Sequence, residues 1–255
     1  MLGSFGIYCF VFPWAMLLLS FDWMPFGMEW MSSLLLAMLG LSAAGWLWSN
    51  YSRAGLFVGA CIFVLGVALE YAGVLTGFPF GPYRYTGVLI PELPGGVPFA
   101  IGFAWLLVIV GGLFTARWLL PTSGRHATSA LLLSLLGAAL AVGLDLLLEP
   151  VASHIKSYWT WLAGDGDYYG IPWSNFGAWF VAALAMNLIV AALLGLDKPL
   201  RWKWLPVALL GMNVVLFGVV NVAHGYFIAG AIGLAMLGLL LAGWIRQNNV
   251  ARIPE

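Results

Sequence analysis

Residues 54–76 read Ala54-Gly-Leu-Phe-Val-Gly-Ala-Cys-Ile-Phe-Val-Leu-Gly-Val-Ala-Leu-Glu70-Tyr-Ala-Gly-Val-Leu-Thr76. A bilayer crossing takes about 20 mainly apolar residues, and this stretch is long enough with Glu70 as its one charged residue. Comparable windows lie near 3–21, 30–48, 97–116, 127–148, 173–194, 204–222 and 227–245, so about eight spans are expected. The fold class is therefore all-α: a polytopic transmembrane helix bundle. It is expected to form a single integral membrane domain over 1–255, because the remaining residues leave no room for a soluble domain. The first apolar run lacks the positive flank of a secretory signal and is expected to stay as a span.

Composition agrees. Hydrophobic residues make up 63% of the chain, charged residues 8%, and mean hydropathy is +0.98. A soluble domain carries about a quarter charged residues, and a disordered chain is poor in apolar and aromatic residues. Ten basic residues balance ten acidic ones, so no positive field points to nucleic acid. The partner this composition implies is the lipid bilayer. Cys9 and Cys61 lie apart in apolar runs and are expected to be small buried residues rather than a disulfide or metal pair.

Charge gives an orientation. Arg53, Arg117, Arg125, Lys198, Arg201, Lys203, Arg246 and Arg252 fall on one side of an eight-span arrangement, and only Arg84 and Lys156 on the other. The positive-inside rule then puts both termini in the cytoplasm of a cell whose cytoplasmic membrane holds the protein. The two long connections, 77–96 and 149–172, become extracytoplasmic loops rich in aromatic residues, Gly and Pro.

Two segments resemble each other. Gly96-Val-Pro-Phe99 precedes Ala104-Trp105, and Gly170-Ile-Pro-Trp173 precedes Ala178-Trp179 at the same offset. Proline suits the first turn of a helix, where its missing N–H costs little. Each unit has an acid near the end of the preceding span, Glu70 or Asp145. These lie 26 and 25 residues before the matching glycine. Both units would cross the membrane in the same sense, as a parallel repeat does, and would bring their acids and aromatic loops to one chamber.

An intramembrane carboxyl is costly and so marks a functional candidate, although a hydrogen-bonded clamp between helices needs the same residue. Asp145 and Glu149 are four apart on one helix face, and Pro150 is expected to end the helix after them. A carboxylic acid that keeps its proton can pass it to a weak base. Arg84, between Tyr83 and Tyr85, can pair with an acid or stack on rings. Ring faces at Tyr158, Trp159, Trp161, Tyr168 and Tyr169 can stabilise a developing cation. Asn187, Asn213, Asn221 and His224 suit hydrogen bonds between helices. Asp165-Gly-Asp167 is a short acidic pair in a loop. His126, His154 and His224 are scattered, and no phosphate loop, aspartate-rich diphosphate site or nucleophile elbow occurs. Acid–base chemistry on an apolar substrate is what remains, and no metal or other cofactor is expected.

The stretch Glu70-Tyr-Ala-Gly-Val-Leu-Thr-Gly-Phe-Pro-Phe-Gly-Pro-Tyr-Arg-Tyr85, with Gly96-Val-Pro-Phe99 and Tyr168-Tyr-Gly-Ile-Pro-Trp-Ser-Asn-Phe176, resembles the carotenoid biosynthesis membrane proteins of the CruF type, over about residues 66–180. The resemblance implies a carotenoid 1,2-hydratase, a hydro-lyase acting on acyclic ends such as those of γ-carotene, lycopene or a bacterioruberin precursor. In that reaction a carboxyl protonates C2, a tertiary cation forms at C1, and water captures it. Glu70 would be the acid and Asp145 the base, or the reverse, with Glu149 a further candidate. Tyr83, Tyr85, Trp159, Trp161, Tyr168 and Tyr169 would line the cation pocket, and Arg84 and Asn175 would orient the acids or the water. Association with other carotenoid enzymes would fit such a role. Two alternatives use the same residues differently: a non-catalytic polyene or lipid carrier, and a proton-coupled transporter.

Overall fold

Runs of apolar residues about 20 long become helices because, in lipid, each backbone N–H and C=O must find its partner within the segment. The computed structural model of the protein describes residues 1–120, 126–163, 166 and 168–250. Arg125, Asp165, Asp167 and Arg252, and the side chain of His126, lie outside the described residues. The helices are α1 (Leu2–Ser20), α2 (Trp30–Thr76), α3 (Ile101–Leu119), α4 (His126–Pro150), α5 (Trp173–Leu194), α6 (Trp204–Ala223) and α7 (Phe227–Val250). All seven are long and apolar enough to cross a membrane, and the protein is a multi-pass membrane protein.

The 47 residues of α2 are twice what one crossing needs, and they fold back on themselves. Ser52 breaks the helix with φ 53° and ψ −132°. A Cβ on Gly55 would lie 2.2 Å from the carbonyl oxygen of Leu47, a contact impossible along a straight helix. Phe103 of α3 touches both arms: a Cβ on Gly40 would be 2.5 Å away, and the Phe63 ring is centred 5.0 Å from it. Among the described residues seven helices, one folded double, thus give eight membrane-length segments, in line with the hydropathy windows.

The Asn50–Arg53 turn lies at the end of the bundle where the cations collect. Arg201 N–H donates to Asn50 Oδ1 at 2.7 Å, and Lys198 stands over the Tyr51 ring. Arg117 donates to the Lys198 carbonyl, and Arg246 to that of Leu119. Arg84 lies in the connection at the other end.

α3 is the central helix: 78% of its apolar window is buried, against 22% for α1 and 28% for α7. Glycines let helices approach closely; a Cβ on Gly112 of α3 would lie 2.7 Å from the Gly137 carbonyl of α4. Asn187 Nδ2 donates across to the Ser134 carbonyl and Asn221 Nδ2 to that of Leu147, whereas Asn213 bonds back to Leu209 of its own helix. His224 meets Asp22 at 3.1 Å. Both cysteines are free, but Cys9 is exposed and Cys61 partly so. A bundle whose solvent is lipid has no need to bury them.

Two further departures from the sequence reading shape the site. Pro150 does not end its helix: α4 runs through it into a π turn, Val151–Ile155. Proline brings no N–H to the carbonyl four residues before it. Here the Tyr168 hydroxyl donates to that carbonyl, Leu146, at 2.7 Å, and Asn221 satisfies its neighbour Leu147. The long connections also contain a small sheet. Strand β1 (Tyr83–Tyr85) pairs antiparallel with β2 (Trp159–Trp161), with Arg84 opposite Thr160.

Candidate active site

Side chains alternate across a strand, so Tyr83 and Tyr85 share a face of β1, and Trp159 and Trp161 share a face of β2. These four rings turn toward the bundle and, with Phe80, roof a cavity of about 40 Å³. Trp105 of α3 and Trp179 of α5 stand in its wall, stacked with centroids 4.7 Å apart and planes 21° from parallel. These are the matching tryptophans of the repeat. Both long loops close over one chamber, and the two units meet at the Arg84–Thr160 pair of the sheet and at the tryptophan stack.

Glu70 and Glu149 face this chamber, and each is held in the same way. Glu70 Oε2 accepts from the hydroxyls of Tyr83 at 2.6 Å and Tyr85 at 2.7 Å, while Oε1 accepts from Trp105 Nε1 at 3.2 Å. Glu149 Oε2 accepts from Trp161 Nε1 at 3.0 Å and Trp159 Nε1 at 3.2 Å, while Oε1 accepts from Asn175 Nδ2 at 3.1 Å. In both, one oxygen takes two donors from residues i and i+2 of the adjoining strand. The other takes one donor from the helix that follows.

The acid of α4 that faces the chamber with Glu70 is thus Glu149. Asp145, whose spacing had suggested it, is fully buried one helical turn away and does not line the cavity; its Oδ2 accepts from Asn175 Nδ2 at 2.8 Å, while Oδ1 lacks a partner among the described residues. Asn175 therefore links the two carboxyls of α4. The burial of Glu70 and Glu149 is tolerable because three donors converge on each.

Local sequence explains how Glu70 is reached. Gly66, Glu70 and Gly73 fall on one face of α2 at helical spacing. A Cβ on Gly66 would lie 2.5 Å from the Trp105 side chain, and one on Gly73 2.8 Å from the Tyr83 oxygen. The two glycines vacate the space that the donors of Glu70 occupy. Gly77 then ends the helix in the left-handed conformation, φ 76°. Burial, with Glu70 alongside, pushes the Tyr83 and Tyr85 hydroxyls above the ordinary tyrosine range, so both remain donors at neutral pH.

Other sequence candidates lie elsewhere. Arg84 is exposed on the outer face of β1, because a strand that turns Tyr83 and Tyr85 inward must turn the residue between them out. Tyr168 is spent on the Leu146 carbonyl and packs on Phe176. The Tyr169 hydroxyl accepts from Ile228 N–H, joining the loop to the start of α7. Neither Tyr168 nor Tyr169 lines the chamber. Among the described residues no group of three His, Cys, Asp or Glu is placed to hold a metal. Trp105 and Trp179, not taken as site residues from sequence, do line it; their identical offset in the repeat was the available signal.

No solved structure gives a significant match to the chain. A bisanhydrobacterioruberin hydratase from Haloarcula japonica is 31% identical over 137 residues, 54% of this chain and 44% of that protein. The match therefore spans less than half of the relative's length. A family described as carotenoid biosynthesis protein matches residues 28–240. That span takes in both arms of α2, the sheet, the stacked tryptophans and all three acids, and the chain belongs to the carotenoid biosynthesis protein family.

Proposed function

We propose that the protein is a cofactor-independent carotenoid hydratase, adding water to the terminal C1–C2 double bond of an acyclic end group. The observation that carries this reading is the pair of glutamates on one ring-lined, water-sized cavity. A hydratase needs a proton donor, a cation-tolerant wall and a base for water, and these are the parts present. The similarity to a bisanhydrobacterioruberin hydratase supports the reaction class.

The donors suggest the division of labour. Indole and amide N–H groups donate and cannot accept through hydrogen, so Trp159, Trp161 and Asn175 suit Glu149 as a carboxylate. The hydroxyls around Glu70 can accept as well as donate, so they tolerate Glu70 as the acid. Glu70 gives its proton to C2, and the π pair becomes the new C–H bond, leaving a tertiary cation at C1. The ring faces of Trp105 and Trp179 are at hand to stabilise that cation. Water attacks C1 and its proton passes to Glu149. Transfer from Glu149 back to Glu70 through cavity water completes the cycle, with one water added and no electrons exchanged. Asp145 acts through Asn175, fixing the amide that orients Glu149.

Expression alongside a pathway making lycopene or γ-carotene tests the proposal. A pigment heavier by one water is expected, absent with Glu70→Gln and with Glu149→Gln. A carrier that uses both glutamates only as clamps would accumulate the pigment unchanged, and that result would reject the enzyme.

A further inference from the structure

A second cavity of about 90 Å³ lies beside the chamber, under α1. It shares Ile101, Ala104, Leu148 and Trp159 with the chamber, so a wall one side chain thick separates the two. Its remaining surface comes from α1, the first arm of α2, α6 and the connecting loops, chiefly as leucine side chains.

Its few polar groups are mostly spent internally. The Tyr158 hydroxyl donates to Ser32 Oγ at 2.7 Å, and Asn213 bonds to its own helix. The Tyr8 hydroxyl alone of these is buried with no partner among the described residues. Among the described residues no charged side chain lines the cavity, so a lipid head group finds no counter-ion among them. A wall of aliphatic carbon offers water few of the two to four partners it needs.

The other sides of the chamber are committed. The β1–β2 sheet roofs it, the tryptophan stack fills one wall, and Asn175 with Asp145 backs Glu149. The side facing the second cavity holds Ala104, the smallest residue on the lining, and is the side through which a long chain can continue.

The geometry points to a polyene-binding subsite: the cavity under α1 holds the conjugated segment next to the reacting end, and that end crosses the Ala104 wall to reach Glu70 and Glu149. This inference rests on the hydratase reading for the identity of the occupant. The chemistry of the lining, apolar and uncharged, selects a hydrocarbon polyene over a phospholipid.

The test places a cysteine on the far wall, Leu36→Cys, with Cys9→Ala and Cys61→Ala removing the native thiols, and modifies the folded protein in liposomes with a bulky maleimide. Lycopene is expected to slow labelling about tenfold by mass action, and to leave Leu241→Cys, on the exposed face of α7, unprotected. Labelled Leu36→Cys should lose about tenfold or more of its hydration rate through misplaced substrate, while labelled Leu241→Cys keeps it. Leu216→Cys repeats the measurement from the α6 wall should Leu36→Cys fail to fold. Labelling unaffected by lycopene at both positions overturns the subsite, as does full hydration by the labelled protein. Protection without hydration by any form keeps the subsite and rejects the hydratase instead.

Discussion

Gly66→Ala should damage the site without touching an ionisable group. The new Cβ would lie 2.5 Å from Cγ and Cδ1 of Trp105 and 2.7 Å from its Cβ. These atoms are close to the Trp105 backbone and cannot swing away as the tip of a flexible side chain could. To recover ordinary contact the indole must retreat by about 1 Å, which takes its 3.2 Å bond to Glu70 beyond hydrogen-bonding range. Overpacking costs about 1–3 kcal/mol, and an indole N–H left buried without an acceptor about 1–3 kcal/mol. Alanine returns about 1 kcal/mol through helix propensity, so a net loss of about 1–5 kcal/mol remains. Gly59→Ala is the control on the same arm. Its Cβ would meet only Leu47 Cδ1 at 3.4 Å and Leu106 Cδ2 at 3.6 Å, ordinary contacts, so it should be neutral or mildly stabilising. Thermal unfolding in nanodiscs, with hydration rate as a second readout, compares the two. Equal stability and equal activity of both variants would refute the packing argument around Glu70.

Three other outcomes are expected. Tyr83→Phe and Tyr85→Phe each remove one donor from Glu70 Oε2 and should each lower the hydration rate about tenfold, with the double variant less than multiplicative because the two act on one oxygen; unchanged rates in both would remove the hydroxyls from the mechanism. Because the Tyr83 and Tyr85 values are raised on folding, their contribution to stability is whole below the ordinary tyrosine value of about 10 and is lost as pH rises through that value toward the folded ones. Tyrosinate absorbance of the folded protein should therefore lag that of the unfolded chain in alkali, a lag that shrinks in the double variant. Arg53→Cys and Arg84→Cys should label from opposite faces of a sealed vesicle, Arg53→Cys from the cytoplasmic side; labelling from the same face contradicts the eight-crossing arrangement.

The helices were legible because a bilayer demands long apolar runs, and the reversal at Ser52 was legible because polar Asn50, Ser52 and Arg53 interrupt one. Glu70 stood out for a related reason, as the one charge in its span. The second acid was ambiguous because Asp145 and Glu149 share a helix face one turn apart. What separates them is the depth of the tryptophans reaching down from β2, and a tertiary contact of that kind leaves no local trace. Hydropathy windows miss three-residue strands, although Tyr-Arg-Tyr and Trp-Thr-Trp do carry the two-residue alternation of a sheet. That alternation would also have turned Arg84 outward. The passage of α4 through Pro150 was hidden because the hydroxyl that replaces the missing donor comes from Tyr168, eighteen residues on.

The most direct test of the paired glutamates is a turnover measured in D₂O and in ¹⁸O-labelled water with purified protein and an acyclic carotenoid. The wild type should place one non-exchangeable deuterium at C2 and one solvent oxygen at C1, while Glu70→Gln and Glu149→Gln bind the pigment and incorporate neither. Asp145→Asn, which leaves both facing glutamates in place, should slow the reaction and still give the same labelled product. Full incorporation by Glu70→Gln or Glu149→Gln, or a hydrated product with no deuterium at C2, would contradict the mechanism.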